Sequence, residues 1–564
     1  MLLDCILRYC APLISRIFKM AADLSKIGYD SWGKEKEAAT GPSRLELLPP
    51  ELVYNILSYL SPIDLAAVSA TSRTLYTRAT ADHLWQALIQ ENVPGVQVKT
   101  PSPCQSFKAL YQTHDPRWFL PKYKIWFSDG DLTGRLIIAR YDPRRGCIEG
   151  YQLVAASRSR TSQPWAADPN IMIHSFDPVV QLHLDKPVIQ LDAFDPAEAH
   201  HFGPGSQSYG GITTIKLSRD RSRGFSPDED AGPSRSPSPP KNSAPKAPRL
   251  SCEIPMQNGS GSMYSTFILS RLLTEPEIQS RTSEPFPYGS VWPPPTVPSD
   301  QRVLGTCLHR FQQQLLKPES RPSCRANLSD KTFRIRKWLT MRVPGNNSDN
   351  ASIRNFFTSP TTIPSLIPVT ADDLDIVDEN LPLRLHIGEE IATYATLDPK
   401  LYTPTKEKPF RGIWVGDYSG HGCEFLLLVQ PDDKVPFDPD AIQPRGGEST
   451  EDFEKRKYEE TVYRGRLDAI KLTGDPNVPR GEATFRVDDL GDGGLVKVCE
   501  DEPFAGVRMV RSEGHVASTG FVLDSFIESQ LLLVSHDRLA QYWIEWGHVS
   551  FFERVDVDRF LAPA

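Results

Sequence analysis

Apolar and polar positions alternate in two different ways along the chain, helical near its start and strand-like through most of the rest. Between residues 45 and 92, apolar side chains recur at three- or four-residue spacing, which predicts helices. From residue 107 onward, short apolar and aromatic runs are separated by Gly, Pro and Asp, a pattern typical of strands and tight turns. The predicted strands cover 123–127, 134–141, 148–155, 332–341, 412–415, 423–430, 462–472, 481–487, 520–523, 530–535, 541–546 and 549–555.

The helical segment predicts three short helices. Pro50 and Glu51 suit a first helical turn, where a missing N–H and a negative charge are both favourable. The first helix has one apolar face formed by Leu52, Ile56, Leu57 and Leu60. The second helix is predicted around Leu65, Val68 and Leu75, and the third around Leu84, Trp85, Leu88 and Ile89. Three such helices bury little core by themselves, so we expect a partner to complete it.

Several stretches have no regular pattern. The expected organisation begins with a weakly structured leader over 1–44, helices over 45–92 and a first β-rich part over 107–217. A disordered Ser/Pro/Arg-rich linker over 218–262 and a mixed Pro-rich segment over 263–345, with a helical turn at 311–316, come next. An irregular insert over 346–405 then leads to a second β-rich part over 406–564. The strand density after residue 406 predicts a barrel or sandwich. Without a repeat of 20 to 50 residues, solenoids and propellers are disfavoured.

Composition narrows the class of protein. Fifty prolines in 564 residues indicate long linkers, and a net charge of -8 without a basic stripe disfavours nucleic acid as a partner. The first twenty residues are too short and too charged for a membrane span and poorly suited to a signal peptide, and translation could start at Met1 or Met20. Nine scattered cysteines lack zinc spacing and suit a reducing compartment, so we expect the cytoplasm or nucleus, with no metal and no cofactor.

The order of residues in the helical segment resembles the F-box. The matching positions are Leu48-Pro49, Glu51, Ile56-Leu57, Leu60, Asp64-Leu65, Val68-Ser69 and Leu84-Trp85. Leu75-Tyr76 departs from the family where an aromatic residue is common. The resemblance implies that these helices bind a Skp1-like adaptor, which connects them to a cullin and a RING subunit. The implied adaptor contacts are Leu48, Pro49, Glu51, Leu52, Ile56, Leu57, Leu60, Leu65 and Val68. An ordinary helical hairpin with its own core is the alternative.

The C-terminal segment resembles a branch of F-box-only proteins. Three motifs carry the likeness: Tyr418-Ser-Gly-His-Gly-Cys-Glu424, Thr473-Gly-Asp-Pro-Asn477 and Asp537-Arg538 followed by Trp543. In that branch the substrate domain is a β-barrel known for recognising cyclin D1 and C-terminal degradation signals. The expected fold is therefore α+β and multidomain, with a small three-helix F-box, a mainly antiparallel barrel-like substrate domain and long disordered inserts. Residues 218–345 have no counterpart in it.

The candidate substrate-binding residues lie in these motifs and close to them. They are His421, Asp475, Asn477, Arg538, Trp543 and Trp546. One interpretation makes Gly420-His421-Gly422 and Gly474-Asp475-Pro476-Asn477 structural corners of the barrel. The other places them beside a pocket where Trp543, Trp546 and an arginine hold the end of a peptide. Ser-Pro dipeptides at Ser226, Ser236 and Ser238 are candidate phosphorylation sites, and the alternative is a spacer in which these pairs occur by chance.

No motif for covalent chemistry accompanies these residues. His421 between glycines lacks the nucleophile elbow of an esterase, and Asp537-Arg538 lacks the other parts of a kinase. The acidic turn from Asp488 to Asp492 does not have calcium-loop spacing. We therefore expect a non-catalytic, substrate-recognition subunit of an SCF-type ubiquitin ligase. The alternatives are an adaptor-binding protein without ligase output and a barrel enzyme with an appended adaptor motif.

Overall fold

The computed structural model describes residues 45–128, 133–158, 161–193, 252–256, 263–272, 274, 276, 321–341, 386–432 and 437–563. Two compact units divide them, the first ending at Ala81 and the second beginning at Asp82. The predicted leader, the helical turn at 311–316, and Ser226, Ser236 and Ser238 lie outside the described residues.

The first unit contains the helices α1 (Pro50–Leu57), α2 (Pro62–Ser69) and α3 (Arg73–Ala79). The Ser61 side chain accepts a hydrogen bond from the Asp64 N–H and so caps α2. In the same way, the Ser72 side chain accepts a hydrogen bond from the Leu75 N–H and caps α3. The prediction of one helix spanning Leu65 to Leu75 is therefore wrong, because Ser72 begins a new helix. With the next helix, α4, residues 45–92 hold four helices where three were predicted.

The second unit contains the remaining helices α4 (Asp82–Asn92), α5 (Phe107–His114), α6 (Phe119–Tyr123), α7 (Pro399–Tyr402) and α8 (Thr450–Val462). Its strands are β1 (Ile125–Ser128), β2 (Leu136–Asp142), β3 (Cys147–Ser157), β4 (Ser162–Trp165), β5 (Asp168–His174), β6 (Pro178–Leu182), β7 (Ile189–Asp192), β8 (Glu253–Met256), β9 (Met263–Arg271), β10 (Leu328–Met341), β11 (His386–Thr396), β12 (Gly412–Asp417), β13 (Cys423–Val429), β14 (Leu467–Lys471), β15 (Ala483–Val487), β16 (Leu495–Val498), β17 (Arg508–Ser518), β18 (Val522–Ser535), β19 (Arg538–Trp543) and β20 (His548–Arg554).

These bounds correct four predictions. The part predicted as β-rich from residue 107 begins with α5 and α6. Strand β8 lies inside the stretch 218–262 predicted as disordered, and β11 and α7 lie inside the insert 346–405 predicted as irregular. The strand predicted over 462–472 begins only at Leu467, because Val462 is the last residue of α8.

The strands form two sheets. In the first, the strand order is β6-β3-β2-β1-β11-β10-β9-β8, and β7 also pairs with β3. In the second, the order is β12-β13-β14-β15-β17-β18-β19-β20, with antiparallel neighbours, and β20 returns to pair with β12. The second sheet is thus a closed barrel of eight strands, which confirms the predicted mainly antiparallel barrel. Strands β5 and β4 extend its wall beside β20, where β5 runs parallel to β20.

Strands β12 and β13 of the barrel are buried on both faces. Inside, Trp414, Leu426 and Phe485 belong to one apolar cluster. Outside, Ile413 and Leu427 belong to a second cluster, which also contains residues of the first sheet such as Ile125, Phe127 and Ile138. Successive residues of a strand point to opposite faces, so β12 and β13 serve both cores at once. The first sheet therefore supports the barrel from outside and leaves its interior free for a site.

Candidate functional site

A cavity of about 300 Å³ opens at one end of the barrel. Its lining comes from the last residues of β12, β14, β17 and β19 and from the first residues of β15 and β20. Antiparallel neighbours alternate in direction, so these ends all meet at the same rim. An eight-stranded barrel is just wide enough to be filled by side chains or to hold one small group.

The barrel interior changes from apolar to polar towards this cavity. Every second residue of a strand points inward, so each strand contributes one residue to each interior layer. Strands β17, β18 and β19 show this change in three successive layers. The apolar layer contains Val510, Leu531 and Leu539, and the next, polar layer contains Ser512, Ser529 and Gln541. Trp543, with Gly514 packed against its ring, follows at the cavity. Ser512 and Ser529 share a hydrogen bond of 2.8 Å, and Gln541 Nε2 donates to Ser529 Oγ at 3.2 Å. This polar layer forms the floor below the cavity.

Aromatic rings form one wall of the cavity. The rings of Trp543 and Trp546 stack with centroids 4.9 Å apart, and Trp546 stacks on His548 at 5.7 Å. Trp543 Nε1 donates a hydrogen bond to Ser550 Oγ at 3.1 Å, which fixes the indole. A Cβ atom on Gly514 would lie 2.3 Å from the Trp543 ring, so the ring needs a glycine opposite it. Trp546 is 52% exposed and offers an apolar surface at the rim.

Three ionisable side chains meet at the opposite side. Lys471 Nζ lies 2.7 Å from Glu424 Oε2 and 2.5 Å from Asp475 Oδ2, and all three side chains are buried. The ammonium group also lies 4.2 Å from the centre of the Tyr418 ring. Glu424 Oε1 has no hydrogen-bond partner among the described residues. Lys471 and Asp475 line the cavity directly, whereas Glu424 lies behind them.

Burial decides the charge of this group. It raises the pKa of Glu424 to about 8, against the opposing effect of Lys471, so at neutral pH this carboxyl is largely protonated. Burial would raise the pKa of Asp475 as well, but Lys471 and two backbone N–H groups outweigh it, and the pKa is lowered. At neutral pH the group therefore consists of a Lys471–Asp475 ion pair beside a neutral acid, with no net charge.

The two glycine-containing motifs form turns at the rim. Asp475 Oδ1 accepts hydrogen bonds from the Asn477 and Val478 N–H groups at 2.6 and 2.7 Å, an Asx-type turn. His421 is exposed and ends a short 3₁₀ helix, Ser419–His421, and Gly422 follows with φ of +86°. Asp475, Asn477 and His421 are thus structural corners and also line the cavity, which joins the two interpretations that the sequence left open.

Arg538 does not line the cavity, contrary to its place among the candidate residues. Its Nη1 pairs with Glu553 Oε1 at 2.5 Å, and its guanidinium lies 4.5 Å from the centre of the Phe551 ring. Arg538 begins β19, while Trp543, which does line the cavity, ends it. The sequence interval between them spans the length of the strand, and the arginine contacts the cavity only indirectly, through the lining residues Phe551 and Phe176, whose carbonyl accepts a hydrogen bond from Arg538 Nη2 at 3.3 Å. The cation at the cavity is Lys471, which sequence reasoning missed.

The first unit exposes large apolar side chains. Leu52 is 50% exposed, Tyr59 is 76% exposed and Ile63 is 59% exposed. The predicted apolar face of α1 is therefore divided: Leu57 is buried together with Val53, whereas Leu52 faces solvent and Ile56 is half-buried. Leu65 and Val68 are also buried. The prediction that Leu57, Leu65 and Val68 offer contacts to an adaptor is corrected, because these side chains form the core.

Comparison with known proteins assigns both regions. Residues 45–91 match the family model described as F-box-like, and residues 394–559 match the model described as cyclin D1 binding domain. The chain contains an F-box-like domain and a cyclin D1 binding domain. The resemblance predicted for each region is confirmed. The cyclin D1 binding domain covers β12 to β20 and most of the cavity lining, to which His174, Ser175 and Phe176 add from outside it.

Similar curated proteins share a smaller part of the chain. Protein EXECUTER 2, chloroplastic, of Arabidopsis thaliana is 29% identical over 157 residues, which make up 28% of this chain and 22% of that protein. The protein of the same name from Oryza sativa subsp. japonica is 27% identical over 166 residues, with the same shares. The chain thus matches about a fifth of the length of these curated relatives.

Two further observations concern the described residues as a whole. No described group of three or more His, Cys, Asp and Glu side chains has the geometry of a metal site. None of the described helices has the length and apolar character needed to cross a membrane.

Proposed function

We propose that the chain is the substrate-recognition subunit of an SCF-type ubiquitin ligase. The F-box-like domain binds a Skp1-like adaptor, and through it a cullin and a RING subunit, while the barrel cavity binds the target protein. The observation that carries this proposal is the presence of both matched domains, F-box-like and cyclin D1 binding, in one chain. The chain itself supplies no covalent chemistry. It raises the effective concentration of a target lysine near the charged E2.

The exposed apolar residues of the F-box-like domain support the adaptor contact. Leu52, Tyr59 and Ile63 project from the first unit, whose described part, residues 45–81, is short for a self-sufficient domain. Covering such side chains with a partner removes apolar surface from water, at roughly 25 cal/mol per Å². The adaptor surface that we propose is therefore centred on Leu52 and Tyr59, with Leu48, Pro49, Glu51, Ile56 and Leu60 around them.

The shape of the cavity supports binding of a polypeptide end. A volume of about 300 Å³ lies at the small end of the range for ligand pockets and accommodates few residues. Trp543 and Trp546 provide an apolar wall, held by the hydrogen bond from Trp543 Nε1 to Ser550 Oγ, and Lys471 and Asp475 provide polar groups opposite it. Such a site suits the end of an extended chain, and the match to the cyclin D1 binding domain makes a cyclin D1-like protein our proposed target. We place the protein in the cytoplasm or nucleus, and the free thiols of Cys104, Cys147 and Cys499 fit a reducing compartment.

The decisive experiment is recovery of partners from cells that express the tagged full chain. The double variant Leu52→Asp, Ile56→Asp should recover at least about ten-fold less adaptor and cullin than the unmodified chain, because docking would bury two unpaired carboxylates. Leu184→Asp is the matched control, since Leu184 is exposed but lies outside the F-box-like domain. Equal recovery by both variants would refute adaptor binding through α1.

An adaptor-binding protein without ligase output is the second candidate. If this candidate is right, the tagged chain should recover the adaptor as before but no cullin. No protein should then be enriched on the double variant. Quantitative proteomics on the same samples therefore separates the two candidates. Targets of a ligase subunit should be enriched on the Leu52→Asp, Ile56→Asp variant, because they still bind the barrel and are no longer degraded.

A further inference from the structure

We propose that the free edge of β18, residues 522–528, binds an extended, basic segment of the target as an additional β-strand beside the cavity. This inference rests on the proposed role of the cavity in target recognition. It assigns a second contact to the same target, on the side of the barrel where its chain leaves the cavity. The segment contributes main-chain hydrogen bonds, and its lysine or arginine side chains meet acidic residues of the sheet.

The edge exists because β18 is longer than its neighbour. β18 pairs with β17 from Leu533 to Ser525 and, after a shift of register, again at Val522, but its pairing with β19 ends at Ser529, opposite Trp543. Among the described strands, none pairs with the other edge of residues 522–528. Alternate residues of such an edge direct N–H and C=O groups outward, which is the template for strand addition.

The edge continues the wall of the cavity. β19 ends at Trp543, so the space opposite residues 522–528 begins where the tryptophan wall ends. The other side of the β17–β18 hairpin is already occupied. There the Gly520 N–H donates to the Pro476 carbonyl at 2.8 Å, and Thr519 Oγ1 donates to Asn477 Oδ1 at 3.1 Å. These bonds hold the hairpin at the rim and leave one edge open, the one that leads away from the cavity.

The tip of the hairpin is apolar and strained. Leu523 is 84% exposed and Val522 is 53% exposed. Phe521 and Leu523 have φ of +59° and +54°, a left-handed conformation that is unfavourable for bulky side chains. Strain of this kind persists where the surrounding structure imposes it, often at binding sites. The exposed leucine gives an added strand an apolar contact at the far end of the edge.

Charge across the sheet selects a basic occupant. Arg486 of β15 lies opposite Glu513 of β17, and Glu513 lies opposite Glu528 of β18, so these three side chains form a row on one face. Directly opposed like charges destabilise a sheet, and the Glu513–Glu528 pair is such a case. A lysine or arginine on a strand next to β18 would offset it. Asp524 of the same strand adds a second carboxylate, which is half-exposed and has its Oδ2 atom 3.3 Å from His515 Nε2.

The test measures binding of two peptide probes to the full chain copurified with its adaptor. The short probe is the terminal part of the cyclin D1 tail, and the long probe is the same end preceded by an alternating Val-Lys segment. The long probe should bind about ten-fold more tightly. Two versions of the long probe carry N-methyl groups on every second residue of the added segment, one on the odd and one on the even positions. Only one of the two should lose the gain in affinity, because only every second N–H faces β18. Leu523→Ser and Glu528→Lys should each reduce the gain, whereas the exposed control Leu184→Ser should not.

The outcomes separate this inference from the function on which it rests. Equal binding of both probes overturns strand addition and leaves the cavity as the target site. If neither probe binds, the proposed recognition role and the strand both fail. If the gain is absent and Leu523→Ser converts a dimer of the chain into a monomer in light scattering, a second copy covers the edge, and the inference is wrong.

Discussion

Lys471, Glu424 and Asp475 place three ionisable groups inside a barrel whose opposite half is apolar. Removing such groups from water is costly, and their mutual attraction offsets the cost only when the charges balance. Here the balance is reached by protonation of Glu424, whose pKa is about 8. This group carries no net charge at neutral pH, and its charge depends on pH near the pKa of Glu424.

Glu424→Gln should make stability less dependent on pH. The carboxyl titrates near 4.5 when unfolded and at about 8 in the fold, so between these values the folded protein holds a proton that the unfolded chain has released. Raising the pH through this window therefore lowers the free energy of unfolding of the native sequence. Glutamine mimics the protonated acid and removes this loss, so above about pH 8 the variant should be more stable, by on the order of 1 kcal/mol. Thermal unfolding across the pH range measures it.

The exposed Glu451→Gln serves as the control for this comparison. It should unfold in parallel with the native sequence at every pH. Parallel curves for Glu424→Gln as well would mean that Glu424 is ionised throughout and that the charge balance described above is wrong.

Sequence reasoning at this scale found residues that belong to motifs and missed those that do not. Trp543, Trp546, His421, Asp475 and Asn477 do line the cavity. Lys471 ends an ordinary strand, and a lone lysine in a strand pattern reads as a solvated residue. Its burial follows from the pairing of β14 with β13, which brings Lys471 close to Glu424, and the pattern of a single strand does not reveal this pairing.

Strand β17 contributes His515, Val516 and Ala517 to the cavity lining. Its inward residues beside the cavity are Ser512 and Gly514, so it lacks the apolar alternation that identifies a strand, and the sequence did not predict it. Helix α8 was also missed, since it is polar on nearly all sides and contributes only Val462 to the core. By contrast, β13 and β20 have strong apolar patterns and were predicted within two residues of their observed ends.

Gly514→Ala should disturb the cavity through its aromatic wall. The added Cβ would lie 2.3 Å from the Trp543 ring, so the indole must move and its hydrogen bond to Ser550 must break. Overpacking of this kind costs about 1–3 kcal/mol. We expect a lower midpoint of unfolding, altered tryptophan fluorescence and weaker binding of the short cyclin D1 tail probe.

Gly446→Ala is the matched control, because its added Cβ meets no atom within 4 Å and its φ is not in the positive range. Unchanged fluorescence and unchanged probe binding in Gly514→Ala would show that Trp543 does not depend on the space opposite it.

At the scale of the molecule, the barrel and the first sheet share one continuous apolar cluster. A buried arginine of the first sheet also binds the segment that follows the last barrel strand. Arg140 of β2 donates from Nε to Glu149 Oε1 at 2.7 Å and from Nη1 to the carbonyls of Phe560 and Ala562 at 3.1 and 3.2 Å. The sequence predicted the two β-rich parts but not this connection, because its partners are more than 400 residues apart.

Arg140→Met should destabilise the second unit by about 3 kcal/mol, because it leaves Glu149 buried with weaker partners and frees the C-terminal carbonyls. The double variant Arg140→Met, Glu149→Leu should recover part of the loss, since no buried charge remains unpaired. Denaturant unfolding of the four members of this cycle measures the coupling. Additive effects in the double variant would indicate that the pair does not act as a unit.

The pairing of β12 with β20 makes the first and last strands of the barrel neighbours, with Trp414 opposite Arg554. This pairing closes the barrel wall on itself and restrains the width of its rim. Because the cavity entrance has a constant width, we expect discrimination among targets to depend on the target itself. The length of its terminal segment, the freedom of that segment to extend and the chemistry of its last residues would decide which targets bind.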